Sequence, residues 1–240
     1  MHRPTPLVTR PVAWGLGDAV AGFVLANLCA VVAGALILAA AGQETTPVDE
    51  LSLTMVAALQ VPLWVGYLGA PLWAARRKGH GIVEDFGFRM RWSDIPIGLA
   101  VGVATQLIVI PLLYVPIFWI TGDQDISAPA RSLTDRATDP TGVVLLILIV
   151  VVGAPIIEEL FFRGLFLRSV ERRFGSRWAL VVTSVVFGAI HLELLQFPAL
   201  TVAGLVFGGL ALRSGRLGPS IWAHIGFNGV AVLTLLSSST

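Results

Sequence analysis

Charge is scarce in this chain. Only 13% of its 240 residues are Asp, Glu, Lys or Arg, about half the share found in soluble domains. With a mean hydropathy of +0.82, the apolar excess is larger than one soluble core can bury, and a bilayer is the solvent that suits it. Cysteine is scarcer still. Cys29 stands alone, which excludes an intrachain disulfide and a cysteine metal cluster. Lys78 is the single lysine. A net charge of +1 leaves no electrostatic footprint for nucleic acid. The sequence also lacks repeats, low-complexity stretches and any linker long enough to divide domains.

What it has is long apolar runs. Seven candidate spans fall at about 15–41, 51–75, 94–120, 142–170, 178–192, 198–212 and 219–236. They predict an all-α, polytopic transmembrane bundle: residues 1–141 hold three helices and a cytoplasmic loop, and 142–236 the other four, in one integrated membrane domain. The first run follows Arg3 and Arg10. It exceeds the ~7–15 apolar residues of a signal peptide and reads as a retained span. A straight crossing takes about 20 residues, so the fifth and sixth spans need shielding by protein or support from their loops.

Charge sorts the loops by side. Alternating across seven spans, one face collects fourteen of the sixteen Arg and Lys residues, and the other only Arg131 and Arg136. The positive-inside rule puts the rich face, with the N-terminus, in the cytoplasm. The segment His80–Trp92 is then the largest cytoplasmic loop, and Thr121–Gly142 an ordered or semi-ordered polar segment on the opposite face.

The chemistry is expected where polar residues interrupt apolar runs, because ionisable groups at membrane depth are costly and kept for function. The fourth span carries Glu158, Glu159 and Arg163; the fifth ends with Phe187 and His191; the seventh carries His224 and Asn228. Glu158 lies thirteen residues before Glu171 and His191 fourteen after Arg177, so at ~1.5 Å per residue both sit roughly 20 Å from the turn that joins their helices. This predicts that they stand side by side. It also favours a cytoplasmic entrance to the cavity they share. His224 and Asn228 are four residues apart and share a helix face, as do Glu159 and Arg163. Glu158 is rotated about 100° from Glu159, so one carboxylate can pair with Arg163 while the other faces a cavity and serves as a general base.

Glu158-Glu159-x-x-x-Arg163, Phe187-x-x-x-His191 and His224-x-x-x-Asn228 resemble the three motifs of the CPBP family of CAAX-processing and bacteriocin-processing intramembrane proteases, related to type II CAAX prenyl endopeptidases. The resemblance covers mainly Gly142–Leu233 and makes 142–236 the catalytic core. It implies an intramembrane endopeptidase of a bacterial plasma membrane, acting on a membrane-associated protein or peptide. Glu158 would activate water, His191 would position it, and His224 and Asn228 would stabilise the oxyanion. Glu159, Arg163 and Phe187 would orient the site. Glu158, His191 and His224 are also a ligand set for Zn²⁺ with an open position for water, so metal-dependent and metal-free mechanisms both remain open. Two other functions fit the same residues: a non-catalytic binding, immunity or scaffold protein of this fold, and a proton-coupled transporter using Glu158, His191 and His224 as a relay.

Other polar groups carry structural expectations. Asp18 is read as lying near the inner interface, Asp94 as capping the third span, Glu193 as lying at the outer interface, and Gln106 as a buried interhelical contact. The glycines of Ala203–Gly209 are expected to let helices approach closely.

Overall fold

In a bilayer every backbone N–H and C=O must be satisfied within the protein, and a chain this apolar can do so as helices. The computed structural model describes residues 11–238. Arg3 and Arg10 lie outside them. Among the described residues there are helices and no strand: α1 (Leu16–Ala40), α2 (Leu53–Lys78), α3 (Ile82–Asp85), α4 (Asp94–Thr121), α5 (Ala128–Thr134), α6 (Pro140–Phe174), α7 (Ser176–Ala189), α8 (Phe197–Ser214) and α9 (Gly218–Ser238).

Six of these, α1, α2, α4, α6, α8 and α9, are long and apolar enough to cross a membrane. The fifth expected span, 178–192, is the exception. It forms α7, whose 14 residues extend only about 21 Å, short of the ~30 Å hydrocarbon core. The chain leaves the helix at Ile190 and returns as α8 from Phe197. His191 therefore sits in a turn just beyond α7 rather than within a span. Leu192, next to it, adopts a left-handed φ of 56°, a strained conformation for a residue with a Cβ.

The bundle turns its apolar surface outward. Leu25, Val31 and Leu36 of α1 and Leu112 of α4 are all well exposed, as a lipid-facing surface requires. Inside, α6 runs through the middle. Phe161 and Phe162 are fully buried and meet the Tyr67 ring at 4.5 and 5.6 Å. Small residues let neighbouring helices touch. A Cβ on Gly102 of α4 would fall 1.9 Å from the Ala223 carbonyl of α9, and one on Gly204 of α8 would fall 2.9 Å from the Ser184 backbone of α7.

Charged residues close the arginine-rich end. Lys78 Nζ reaches Asp18 at 2.6 Å. Asp94 is buried and accepts from the Arg91 amide at 2.8 Å, but its main partner is Arg216 at 2.6 Å. That makes it a clamp between α4 and the α8–α9 turn as well as a helix-start residue. The same hydrogen bonds hold the Arg216 guanidinium above its ordinary pKa. At the other end, the polar segment after α4 folds into α5. It is tied down by Gln196 Nε2 donating to the Ile126 carbonyl at 2.9 Å and Arg136 Nη1 donating to the Leu51 carbonyl at 3.1 Å.

Candidate active site

The local geometry of α6 sets the site. Two of its segments, Ile147–Gly153 and Glu159–Phe166, are wound as π-helix, a form that gathers at functional sites. Pro155 lies between them and has no N–H to give the carbonyls four and five residues back, Val151 and Val150. The Val150 carbonyl is taken up from another helix: Asn228 Nδ2 of α9 donates to it at 2.8 Å.

Glu158 and Glu159 follow on α6 and point into different surroundings. Glu159 is fully buried. Its Oε1 accepts from Arg163 Nη1 at 2.8 Å and from His224 Nδ1 at 3.0 Å, and its Oε2 accepts from the Ser220 hydroxyl. Glu158 keeps 15% of its side-chain surface open and lines the main cavity. One carboxylate is thus saturated inside the bundle and the other is presented to a cavity.

His224 stands between the two. Its ring stacks on Phe207 at 4.8 Å and meets the edge of Phe187 at 5.8 Å. With Nδ1–H given to Glu159, Nε2 points toward Glu158 Oε2 at 4.0 Å. That is too long for a direct hydrogen bond and leaves room for a hydrogen-bonded third atom. His191 is fixed in a parallel way: Nδ1–H donates to the Phe187 carbonyl at 2.7 Å, which leaves its Nε2 unengaged by that bond. The Phe187 ring is the common support. It lies 5.1 Å from the His191 ring and 4.2 Å from the Arg163 guanidinium.

Glu158, Phe187, His191, His224 and Asn228 all line one cavity of about 510 Å³. Glu158 faces the His224 imidazole at 4.0 Å, and His191 lines the same cavity. Three helices, α6, α7 and α9, bring these residues to the cavity within residues 140–230, the stretch that matches the family model for Rce1-like type II CAAX prenyl endopeptidases. The chain is similar to that family over this stretch. It is also 30% identical over 92 residues to the Bacillus subtilis protein named "Putative membrane peptidase YdiL". That alignment covers 38% of this chain and 38% of the relative. No solved structure matches it.

Within the Rce1-like stretch, a metal set is not assembled. Among the described residues no group of three or more His, Cys, Asp or Glu side chains is placed to hold a metal ion. Glu158, His191 and His224 do not converge as ligands.

Two residues that the motifs do not contain join the site. Ser220 is completely buried against Glu159, and the signal for it was its position one turn before His224 on the same helix face. Gln106 lies on a π-wound turn of α4, Thr105–Val109, and lines the cavity. Its Oε1 is buried without a hydrogen-bond partner among the described residues. The residue was expected as an interhelical contact; in the structure it lines the cavity while its amide oxygen is buried. Glu193, exposed on the turn after His191, also lines the cavity.

The expected cytoplasmic entrance is not where the cavity leads. Its walls run from Glu158 toward Leu146 on α6, Leu235 on α9, Leu53 on α2 and Leu133 on α5. These are the helix ends remote from the arginine-rich turns at Arg76–Lys78, Arg172–Arg173 and Arg213–Arg216. Counting residues to the nearest turn carries no information on which way the cavity extends through the bundle.

Proposed function

We propose that this protein is an intramembrane endopeptidase that hydrolyses a peptide bond of a membrane-associated substrate with a Glu158-activated water. The observation that carries the reading is the pairing of a cavity-facing Glu158 with His224 across 4.0 Å, the imidazole being held from behind by a second, buried carboxylate at 3.0 Å. A general base needs a carboxylate within reach of a water, and its partner needs a fixed orientation.

The chemistry follows from the tautomers. His191, with its hydrogen on Nδ1, offers Nε2 as an acceptor that orients the water. Glu158 removes one proton as the water oxygen bonds to the scissile carbonyl carbon. The oxyanion that develops is met by donors from the cavity wall. Asn228 has a second amide hydrogen beyond the one given to Val150. His224, held by Nδ1 on Glu159, turns its Nε2 edge toward Glu158 on the cavity wall. Glu158 then passes its proton to the nitrogen as the carbon–nitrogen bond breaks. Donors held at developing charge in a water-poor site contribute about 3–4 kcal/mol each in well-studied hydrolases. Glu159, Arg163, Ser220 and Phe187 act through position.

The test compares new peptide N-termini in membranes from cells expressing the wild-type protein and Glu158→Gln. The reading expects a set of N-termini present only with the wild type, and the purified wild-type protein cleaving those sequences in liposomes at least ~1000-fold faster than the variant. Identical N-termini in both membranes, or equal cleavage by the purified proteins, would overturn it and leave a binding protein on this fold.

A further inference from the structure

The cavity has a direction and a sign. From the level of His224, its wall on α9 continues eleven residues to Leu235, about 16 Å along the helix. The walls on this path are mostly apolar: Leu53, Leu107, Ile110, Leu133, Ile149 and Leu235. An extended peptide advances about 3.3 Å per residue, so the path accommodates about five residues between the mouth and Glu158.

The mouth is bounded by the segments that join helices at the arginine-poor end. These segments carry Glu44, Asp49, Glu50, Asp123, Asp125, Asp135, Asp139 and Glu193 against Arg131 and Arg136, eight acidic residues against two basic ones. Both arginines are already engaged. Arg131 lies 3.7 Å from Asp125, and Arg136 donates to the Leu51 carbonyl and to Ser132 Oγ. Glu193 lies on the cavity lining itself, and Asp123 and Asp125 directly precede Ile126 and Ser127, which line it too. At the floor, Glu158 has no arginine of its own, because Arg163 is committed to Glu159 at 2.8 Å. The field is negative from mouth to floor, and low-dielectric walls concentrate it.

We propose that the cavity receives an extended, apolar peptide segment of about five residues followed by basic residues, entering from the arginine-poor face, which the positive-inside rule makes extracytoplasmic. The apolar residues occupy the lined path and the basic residues remain at the acidic mouth. This deepens the endopeptidase reading by naming its substrate class, but binding of the peptide does not require that it be cut.

The experiment uses the full-length Glu158→Gln protein in nanodiscs of zwitterionic lipid, with empty nanodiscs as the blank. Three fluorescent peptides share five apolar residues and end in three lysines, three glutamines or three glutamates. Anisotropy should show the lysine peptide binding at least ~10-fold more tightly than the glutamate peptide at low salt, with the gap closing near 1 M salt, where the Debye length falls to about 3 Å. Glu193→Gln combined with Asp123→Asn should shrink the gap by several-fold. Equal binding, or tighter binding of the glutamate peptide, overturns the charge assignment.

Direction is read separately with Leu133→Cys in a Cys29→Ala background. A membrane-impermeant maleimide should label it in intact spheroplasts, and the lysine peptide should protect it. Labelling confined to inside-out vesicles overturns the direction. If the lysine peptide binds and protects but the wild-type protein leaves it intact, the endopeptidase reading fails while this assignment stands.

Discussion

Glu159 and His224, 65 positions apart in the chain, meet at 3.0 Å between Oε1 and Nδ1 in a fully buried setting. The same carboxylate neutralises Arg163, which is 1% exposed. Removing the charge of Glu159 strands a guanidinium among Phe187 and Phe207, whereas removing that of Glu158 strands nothing. Breaking a buried pair from one side costs about 3–5 kcal/mol. Glu159→Gln should therefore lower the unfolding midpoint in detergent markedly and reduce the folded yield. Glu158→Gln should keep the wild-type midpoint and lose cleavage. Equal midpoints for the two variants would contradict the division of labour between adjacent carboxylates.

Ser220 supplies one of three side chains that donate to Glu159. Ser220→Ala leaves Arg163 and His224 in place, and a hydrogen bond in a membrane interior contributes about 1 kcal/mol. The variant should fold with a slightly lower midpoint. Cleavage should drop in kcat with little change in KM, because the effect reaches substrate only through the orientation of His224. A rise in KM with kcat unchanged would show that Ser220 contacts substrate itself.

The helical fold and the gathering of the motif residues were legible in the sequence, for a definite reason. The hydropathy runs and the one-sided arginines are properties of whole segments, and the polar residues stand out because apolar neighbours surround them. Three features were not legible. The fifth expected span forms a helix of only 14 residues, since composition alone does not say where a helix stops. The closeness of His224 to Glu158, 4.0 Å, was not read either, because counting along each helix gives a level but not which side chains meet across the bundle. Ser220 went unseen and Gln106 was expected only as an interhelical contact, because a hydroxyl and an amide in an apolar helix serve interhelical bonding as readily as a site; the Glu159 partner of Ser220 and the cavity beside Gln106 exist only in the folded chain.

Gln106 lines the cavity proposed to take a peptide, and its buried amide oxygen has no partner among the described residues. A side-chain amide complements a backbone peptide group, offering an acceptor to its N–H and donors to its C=O. Gln106→Leu keeps the volume and removes both. Ground-state binding should weaken, raising KM by about fivefold for one hydrogen bond of roughly 1 kcal/mol, with kcat nearly unchanged. Stability should hold or rise slightly, since an unsatisfied buried oxygen is deleted. A fall in kcat at constant KM would instead place Gln106 beside the reacting carbonyl.

Asn228 and Val150 link two spans through a carbonyl that Pro155 leaves free. Asn228→Ala removes the bond and also the second amide hydrogen of a residue that lines the cavity. Its effect on cleavage alone is therefore ambiguous, and a second variant resolves it. Pro155→Ala supplies an N–H that can return to the Val150 or Val151 carbonyl, so Asn228 is no longer required there. If Asn228 serves only as an interhelical tie, Asn228→Ala in the Pro155→Ala background should recover both the unfolding midpoint and cleavage. If it is an oxyanion donor, the double variant should regain stability while kcat stays depressed by about 100-fold or more. We expect the second result, because the amide has one hydrogen left for the cavity after Val150 has taken the other.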